Sequence, residues 1–197
     1  MNSKLPKLKW KEQKDLQEMI KAGKTCLVET ETVVGLLGNL NTEQKLNEIK
    51  KSPDTKPLSL FVGNQNQIEP IWTELPPGTH ELASNFWPGE LTLIAGKPIK
   101  KGIRMPKINP LLELLTLTGP CVCTSANLSG DPAPKSLKDV NPELLEQVDF
   151  VIDEIAPKSS GKASTILIFD DEKNEWSELR SGSIDQATWK QTLFMQN

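Results

Sequence analysis

The chain has 197 residues, 37% hydrophobic and 25% charged, with a formal net charge of −3. That length suits one hydrophobic core or at most two small ones, and the composition excludes a coiled coil, a largely disordered chain and a membrane-embedded bundle. An acidic total gives no global attraction to nucleic acid or anionic lipid, so an anion site must come from a local concentration of cations.

The opening MNSKLPKLKWKEQK is basic but has no apolar core, and no stretch approaches 18 uninterrupted apolar residues. Neither secretion nor membrane insertion is encoded, and a cytoplasmic protein is expected. Trp10, Leu16, Met19 and Ile20 recur at near-helical spacing over 10–22, with Gly23 as the stop. TCLV at 25–28 reads as a buried strand and ETETVVGLLGN at 29–39 as a loop rich in hydroxyls and glycine. A helix over 42–51 shows Leu46 and Ile49 on one face and ends before Pro53. PLSLFVG at 57–63 and LTLIAG at 91–96 read as strands, with a short helix at 80–87 and a Pro88-Gly89 turn between them. A helix at 110–117, a strand at 120–125 and a helix around 142–148 follow. Strands at 149–153, 164–169 and 176–180 and a helix at 184–193 complete the pattern. There is no repeat and no linker, so one domain over 1–197 is expected, a mixed α/β sheet with flanking helices rather than a strictly parallel array. APKSSGKA at 156–163 reads equally well as a surface turn or as a functional lid.

Cys26, Cys121 and Cys123 are an odd set without CxxC spacing. They argue against a disulfide framework and against a zinc site, and favour reduced, buried thiols, with Cys121 and Cys123 sharing one strand face. His80 is the only imidazole, and nothing beside it supports a Ser-His or Cys-His nucleophilic pair.

Positive charge gathers in two places. Lys97 to Lys107 holds five cations and no acid, and Lys45 to Lys56 holds four cations against Glu48 and Asp54. Hydroxyl and amide groups gather at predicted strand ends, ETET at 29–32 and TSANLSG at 124–130, where ligands sit in open α/β sheets. Ser125 and Asn127, two apart, are placed to project to one side. Such neutral donors backed by Lys and Arg suit phosphate oxygens and a small zwitterion; turn and cap chemistry accounts for SAN equally well. Neither GxxxxGK[ST] nor GxGxxG is present, so a P-loop and a standard dinucleotide site are excluded.

Seven segments stand in order from 29 to 184: ETETVVGLLGN (29–39), IKKSPDTKPLSLFV (49–62), FWPGELTLI (86–94), IRMP (103–106), CTSANLSGDPAP (123–134), STILIF (164–169) and ELRSGSI (178–184). Together they resemble the YrdC-like family, whose members make threonylcarbamoyl-AMP for the N6-threonylcarbamoyladenosine modification of tRNA. ETETVVGLLGN resembles the family's PTETVYGLG, IKKSPDTKPLSLFV (49–62) its K-x-R-P-x-x-K-P-L, and FWPGELTLI (86–94) its FWPGPLT. IRMP (103–106) is similar to VRxP, CTSANLSGDPAP (123–134) to xxSANxSGxPSP, STILIF (164–169) to STVxD, and ELRSGSI (178–184) to LRxGxI. The resemblance implies a twisted mixed α/β sheet with flanking helices around a large, positively charged cavity. It places Thr30, Arg104 and Ser164 toward L-threonine, and Lys50, Lys56, Ser125, Asn127 and Arg180 toward ATP or pyrophosphate. The chain looks like the family's short form, without the C-terminal domain of longer members.

Three departures stand out. The family's loop proline and tyrosine are Glu29 and Val34 here, adding a carboxylate near an anion site and removing an aromatic wall. The arginine two residues after Lys50 is Ser52, a loss of about 1.5–3 kcal/mol of charge-assisted bonding unless replaced. Lys51 is an imperfect substitute, since on a helix it points about 100° from Lys50. The serine of PSP is Ala133.

The resemblance implies a nucleotidyltransferase that joins L-threonine, bicarbonate or CO2 and ATP, with Mg²⁺ accompanying ATP and no covalent nucleophile; Lys50 and Arg180 stabilise charge. tRNA or a tRNA-modifying protein is an implied partner, and a membrane is not. Two other readings stand beside it: an RNA-binding module using the same cations, and a nucleotide-binding relative without turnover.

Overall fold

The structure, a computed structural model, describes residues 5–52, 58–154 and 159–194. Period-two alternation decides its architecture. In β2 (Cys26–Glu29) and β3 (Val34–Asn39), Cys26, Val28, Gly35 and Leu37 share one face and Leu27, Val34 and Leu36 the other, as the antiparallel register requires. Eight further strands extend these two faces: β1 (Lys7–Leu8), β4 (Ser59–Phe61), β5 (Leu91–Ala95), β6 (Lys101–Arg104), β7 (Cys121–Ser125), β8 (Phe150–Ile152), β9 (Thr165–Asp170) and β10 (Glu175–Arg180). They form one continuous sheet in the order β1-β8-β2-β3-β7-β4-β6-β5-β9-β10. The sheet is mixed: β1 and β2 pair parallel with β8, β4 with β6 and β5 with β9, and the remaining pairs are antiparallel.

Among the described residues six α-helices cover this sheet unevenly. On the front face, α1 (Gln13–Lys21) and α4 (Asn109–Thr118) bring Leu16, Ile20, Leu111, Leu114 and Leu115 against Cys26, Val28, Leu37, Phe61 and Cys121. On the back, α2 (Glu43–Ile49) and α5 (Pro142–Leu145) cover Leu27, Leu36, Leu60 and Val122. The back of the other half, Leu91, Leu93, Ile103 and Leu167, is covered by α3 (Thr79–Phe86) and α6 (Gln186–Phe194) through Leu82 and Trp189. Among the described residues no buried side chain of these helices clusters with the front-facing Ile94, Ile166 and Ile168 of β5 and β9. Burial of this kind makes each fully enclosed leucine worth about 2–5 kcal/mol against truncation to alanine.

The three cysteines are free and buried, as their apolar setting predicted. Residues 34–39, expected as loop, are a central strand. The glycines there serve close approach: a Cβ at Gly35 would stand 3.0 Å from Cys123 Sγ, and one at Gly38 2.2 Å from Thr42 Oγ1. The basic run hides β6, in which Ile103 faces the back core while Gly102 and Arg104 face front, and the short edge strand β1 was not expected either. Among the described residues no helix is long and apolar enough to cross a membrane.

Candidate active site

The uncovered part of the front face forms a cavity of about 370 Å³. Seven of the eight residues singled out in the sequence line it: Thr30, Lys50, Arg104, Ser125, Asn127, Ser164 and Arg180. The eighth, Lys56, lies outside the described residues. Register explains the convergence, since Gly35 pairs with Ser125, Cys123 with Ser59, Phe61 with Arg104, Thr92 with Ile166 and Ile166 with Arg180. Small residues at Gly35, Ser59 and Cys123 keep the floor low.

The turn between β2 and β3 forms the roof. Thr30 Oγ1 accepts from the amides of Thr32 (3.2 Å) and Val33 (3.3 Å) and donates to Val33 O (2.6 Å), so the hydroxyl shapes the turn that carries it. Arg104, 4% exposed, reaches this turn from β6. Its Nε donates to Gly89 O (2.9 Å), Nη1 to Thr32 Oγ1 (3.0 Å) and Nη2 to Glu31 Oε1 (2.7 Å), with the guanidinium 5.4 Å from the centre of Phe61. Residues 159–161 sit on the same turn: the amides of Ser160 and Gly161 donate to Glu31 O (2.8 Å) and Thr32 O (3.0 Å), and Ser159 Oγ also donates to Thr32 O. Residues 159–163 are the described part of the 156–163 segment; residues 155–158 lie outside the described residues.

Arg180 donates through Nε and Nη2 to Ser164 O (3.1 and 2.8 Å) and through Nη2 to Ser164 Oγ (3.0 Å). Ser164 Oγ in turn shares a 2.8 Å hydrogen bond with Thr92 Oγ1. Burial, and then the neighbouring Arg104, press the Arg180 pKa below the ordinary guanidinium value. An anion seated between the two arginines would relieve that repulsion. At the other end Lys50 Nζ donates to Ser125 O (2.5 Å), Asn127 O (2.6 Å) and Asn127 Oδ1 (3.3 Å). Asn127 Nδ2 donates to Leu128 O and Asp131 O, both at 2.8 Å, so its amide is spent within the loop.

Several expectations are corrected. Glu29 adds no carboxylate to the cavity: it points to the back of the sheet and accepts from the Leu137 amide at 2.8 Å. Val34 is fully buried on that back face, so an aromatic missing there removes no wall; Val33 lines the cavity instead. Lys51 adopts φ 52 just past α2 and pairs with Glu143 at 2.5 Å, pointing away from the cavity that Ser52 lines. Ala133 belongs to a separate groove.

Little of the basic run at 97–107 reaches the cavity among the described residues. Lys97 and Lys100 pair with Asp171 (3.7 and 2.9 Å) and Lys101 with Glu43 (3.6 Å), so of that run only Arg104 lines the cavity. Among the described residues its cations are Lys50, Arg104 and Arg180, the second met by a carboxylate. Thr32, Ser59, Phe61, Thr92 and Ser129 line it and were not singled out as site residues. Thr92 carried a legible signal: a hydroxyl between Leu91 and Leu93 on an apolar strand must face away from the core.

Among the described residues no group of three or more His, Cys, Asp or Glu could hold a metal ion. His80 lies in a shallow groove between α3 and α6 with Glu81 and Thr188, and is absent from the cavity lining.

The model of one protein family, described as Telomere recombination and grouping Sua5, YciO and YrdC, matches residues 18–182. The putative threonylcarbamoyl-AMP synthase of Methanocaldococcus jannaschii is 32% identical over 186 residues, covering 86% of this chain and 88% of that one. The threonylcarbamoyl-AMP synthase of Pyrococcus abyssi is 34% identical over 149 residues, 68% of this chain but only 44% of that one. Among solved structures, P. abyssi Sua5 complexed with L-threonine superposes with a TM-score of 0.84 at 25% identity, covering 96% of this chain and 60% of that one. Escherichia coli YciO, at 19% identity, shares the fold with a TM-score of 0.75, covering 91% and 95%. The match over most of the sequence and the shared mixed sheet lead to one conclusion: this chain belongs to the Sua5/YciO/YrdC family.

Proposed function

We propose that the chain is a threonylcarbamoyl-AMP synthase, forming threonylcarbamoyl-AMP and pyrophosphate from L-threonine, bicarbonate and ATP. The observation that carries this reading is the convergence of Thr30, Lys50, Arg104, Ser125, Asn127, Ser164 and Arg180, from segments up to 150 residues apart, on one cavity in the fold of that family. The threonine nitrogen attacks the carbon of bicarbonate and water departs, giving a carbamate. A carbamate oxygen then attacks the α-phosphorus of ATP, and the bond to the β-phosphate oxygen breaks to release pyrophosphate. Because no covalent nucleophile is needed, the protein contributes by holding the reactants in line and by placing fixed donors and charge where the leaving group develops.

In this reading Thr30, Arg104 and Ser164 serve the amino acid, while Lys50, Lys56, Ser125, Asn127 and Arg180 serve the nucleotide. Mg²⁺ enters on the ATP phosphates as part of the substrate, where it neutralises their charge. The product is an activated acyl group, suited to transfer onto tRNA by a modifying partner in the cytoplasm. Purified protein should release pyrophosphate only when threonine, bicarbonate and Mg-ATP are all present, and Ser125→Ala should lower that release with the fold intact. Release without threonine, or none with all three, would overturn the reading; an affinity for RNA that falls steeply with salt and ignores threonine would replace it.

A further inference from the structure

Lys50 stands just past the end of α2 and is 6% exposed, so its charge needs partners inside the protein. Among the described residues one loop supplies three acceptors. An ammonium carries three N–H donors, and three oxygens lie within 3.3 Å of Nζ: Ser125 O, Asn127 O and Asn127 Oδ1. The Lys50 main chain grips the same loop, because Lys50 O accepts from the Ser129 amide at 2.8 Å. Asn127, held by the ammonium on one side, uses its own amide to close the loop onto Leu128 and Asp131. Two segments 75 residues apart are thus joined at 125, 127 and 129 through one residue. A phosphate oxygen approaching Nζ would compete with these short bonds to two carbonyls.

We propose that Lys50 is a positioning residue, whose ammonium sets the 125–129 loop in the form that presents Ser125 to the nucleotide. This deepens the synthase reading, on which its kinetic arm rests; its structural arm needs no ligand. In nucleotide-free protein, Lys50→Met should speed hydrogen exchange of the amides at 126–131 by about tenfold while β9 and β10 keep wild-type protection. Should the methionine variant fail to fold, Lys50→Gln, which keeps two N–H donors but loses the charge, answers the same question. Unchanged exchange at 126–131 in the folded variant would overturn the proposal and return Lys50 to direct phosphate contact.

The kinetic arm compares Lys50→Met, Ser125→Ala and the double variant in pyrophosphate release. A residue acting through Ser125 gives a double variant no slower than Lys50→Met alone, whereas two independent phosphate contacts give losses that multiply. Multiplying losses would overturn the proposal. If wild-type protein releases no pyrophosphate the synthase reading fails, and the exchange experiment still decides the role of Lys50.

Discussion

The Glu31–Arg104 pair offers the strongest test of how the cavity is held. Glu31 and Arg104 are 8% and 4% exposed and meet at 2.7 Å. The same carboxylate oxygen accepts from the Lys107 amide at 2.9 Å, while Glu31 Oε2 is buried with no hydrogen-bond partner among the described residues. Among the described residues, Glu31→Ala leaves a buried guanidinium with only Gly89 O and Thr32 Oγ1 as its remaining acceptors. Removing one partner of a buried pair costs about 3–5 kcal/mol, mostly as the uncompensated charge left behind. Against a total stability of roughly 5–15 kcal/mol that is a large fraction. Urea unfolding should therefore show a much lower midpoint at an unchanged slope. The pair Lys7–Asp153, with side chains 58% and 45% exposed, is the internal control, and Lys7→Ala should move stability by no more than about 1 kcal/mol. If Glu31→Ala costs as little as the control, the argument that this pair anchors the roof is wrong.

Three other predictions concern charge and thiols. Burial pushes the Asp149 carboxyl up, but hydrogen bonds from Lys45, from the Thr25 amide and hydroxyl and from Lys24 outweigh it and hold the pKa well below the ordinary 3.8. The unfolded chain then binds the proton more readily, so the stabilisation is complete above that value and dwindles as pH falls; the stability gap between wild type and Asp149→Asn should narrow from about pH 6 to about pH 3, and a constant gap would refute it. Burial pushes Cys123 up to about 12 and Cys121 up to about 11, so a thiol reagent at about pH 8 should label no cysteine rapidly in native protein and all three after unfolding. Ser52 lines the cavity and Lys51 is turned to Glu143, so Ser52→Arg should tighten ATP binding about tenfold by calorimetry; unchanged or weaker binding would show that another cation already fills the place.

Legibility followed the range of the interactions. Elements with a strong local period, such as α1 with Leu16 and Ile20 or β5 with Leu91 and Leu93, could be read from spacing, because one buried face suffices to specify them. β3 could not. Its two glycines mimic a loop until the partners that demand them are known, and Cys123, the partner of Gly35, lies far along the chain in β7. β6 was hidden because its cations answer to Glu43 and Glu31, acids 58 and 73 residues away.

The site divides along the same line. Residue type and motif order brought Thr30, Lys50, Arg104, Ser125, Asn127, Ser164 and Arg180 to notice, but what each does with its hydrogen bonds depends on its neighbours in space. A cation counted in a sequence is a potential partner for any anion. Folded here, Lys50 is engaged by loop carbonyls, Arg104 by Glu31 and Thr32, and Arg180 by Ser164. Each cation thus fixes the position of a hydroxyl-bearing segment before any ligand arrives, and a site built this way recognises its ligand by the placement of neutral donors as well as by charge.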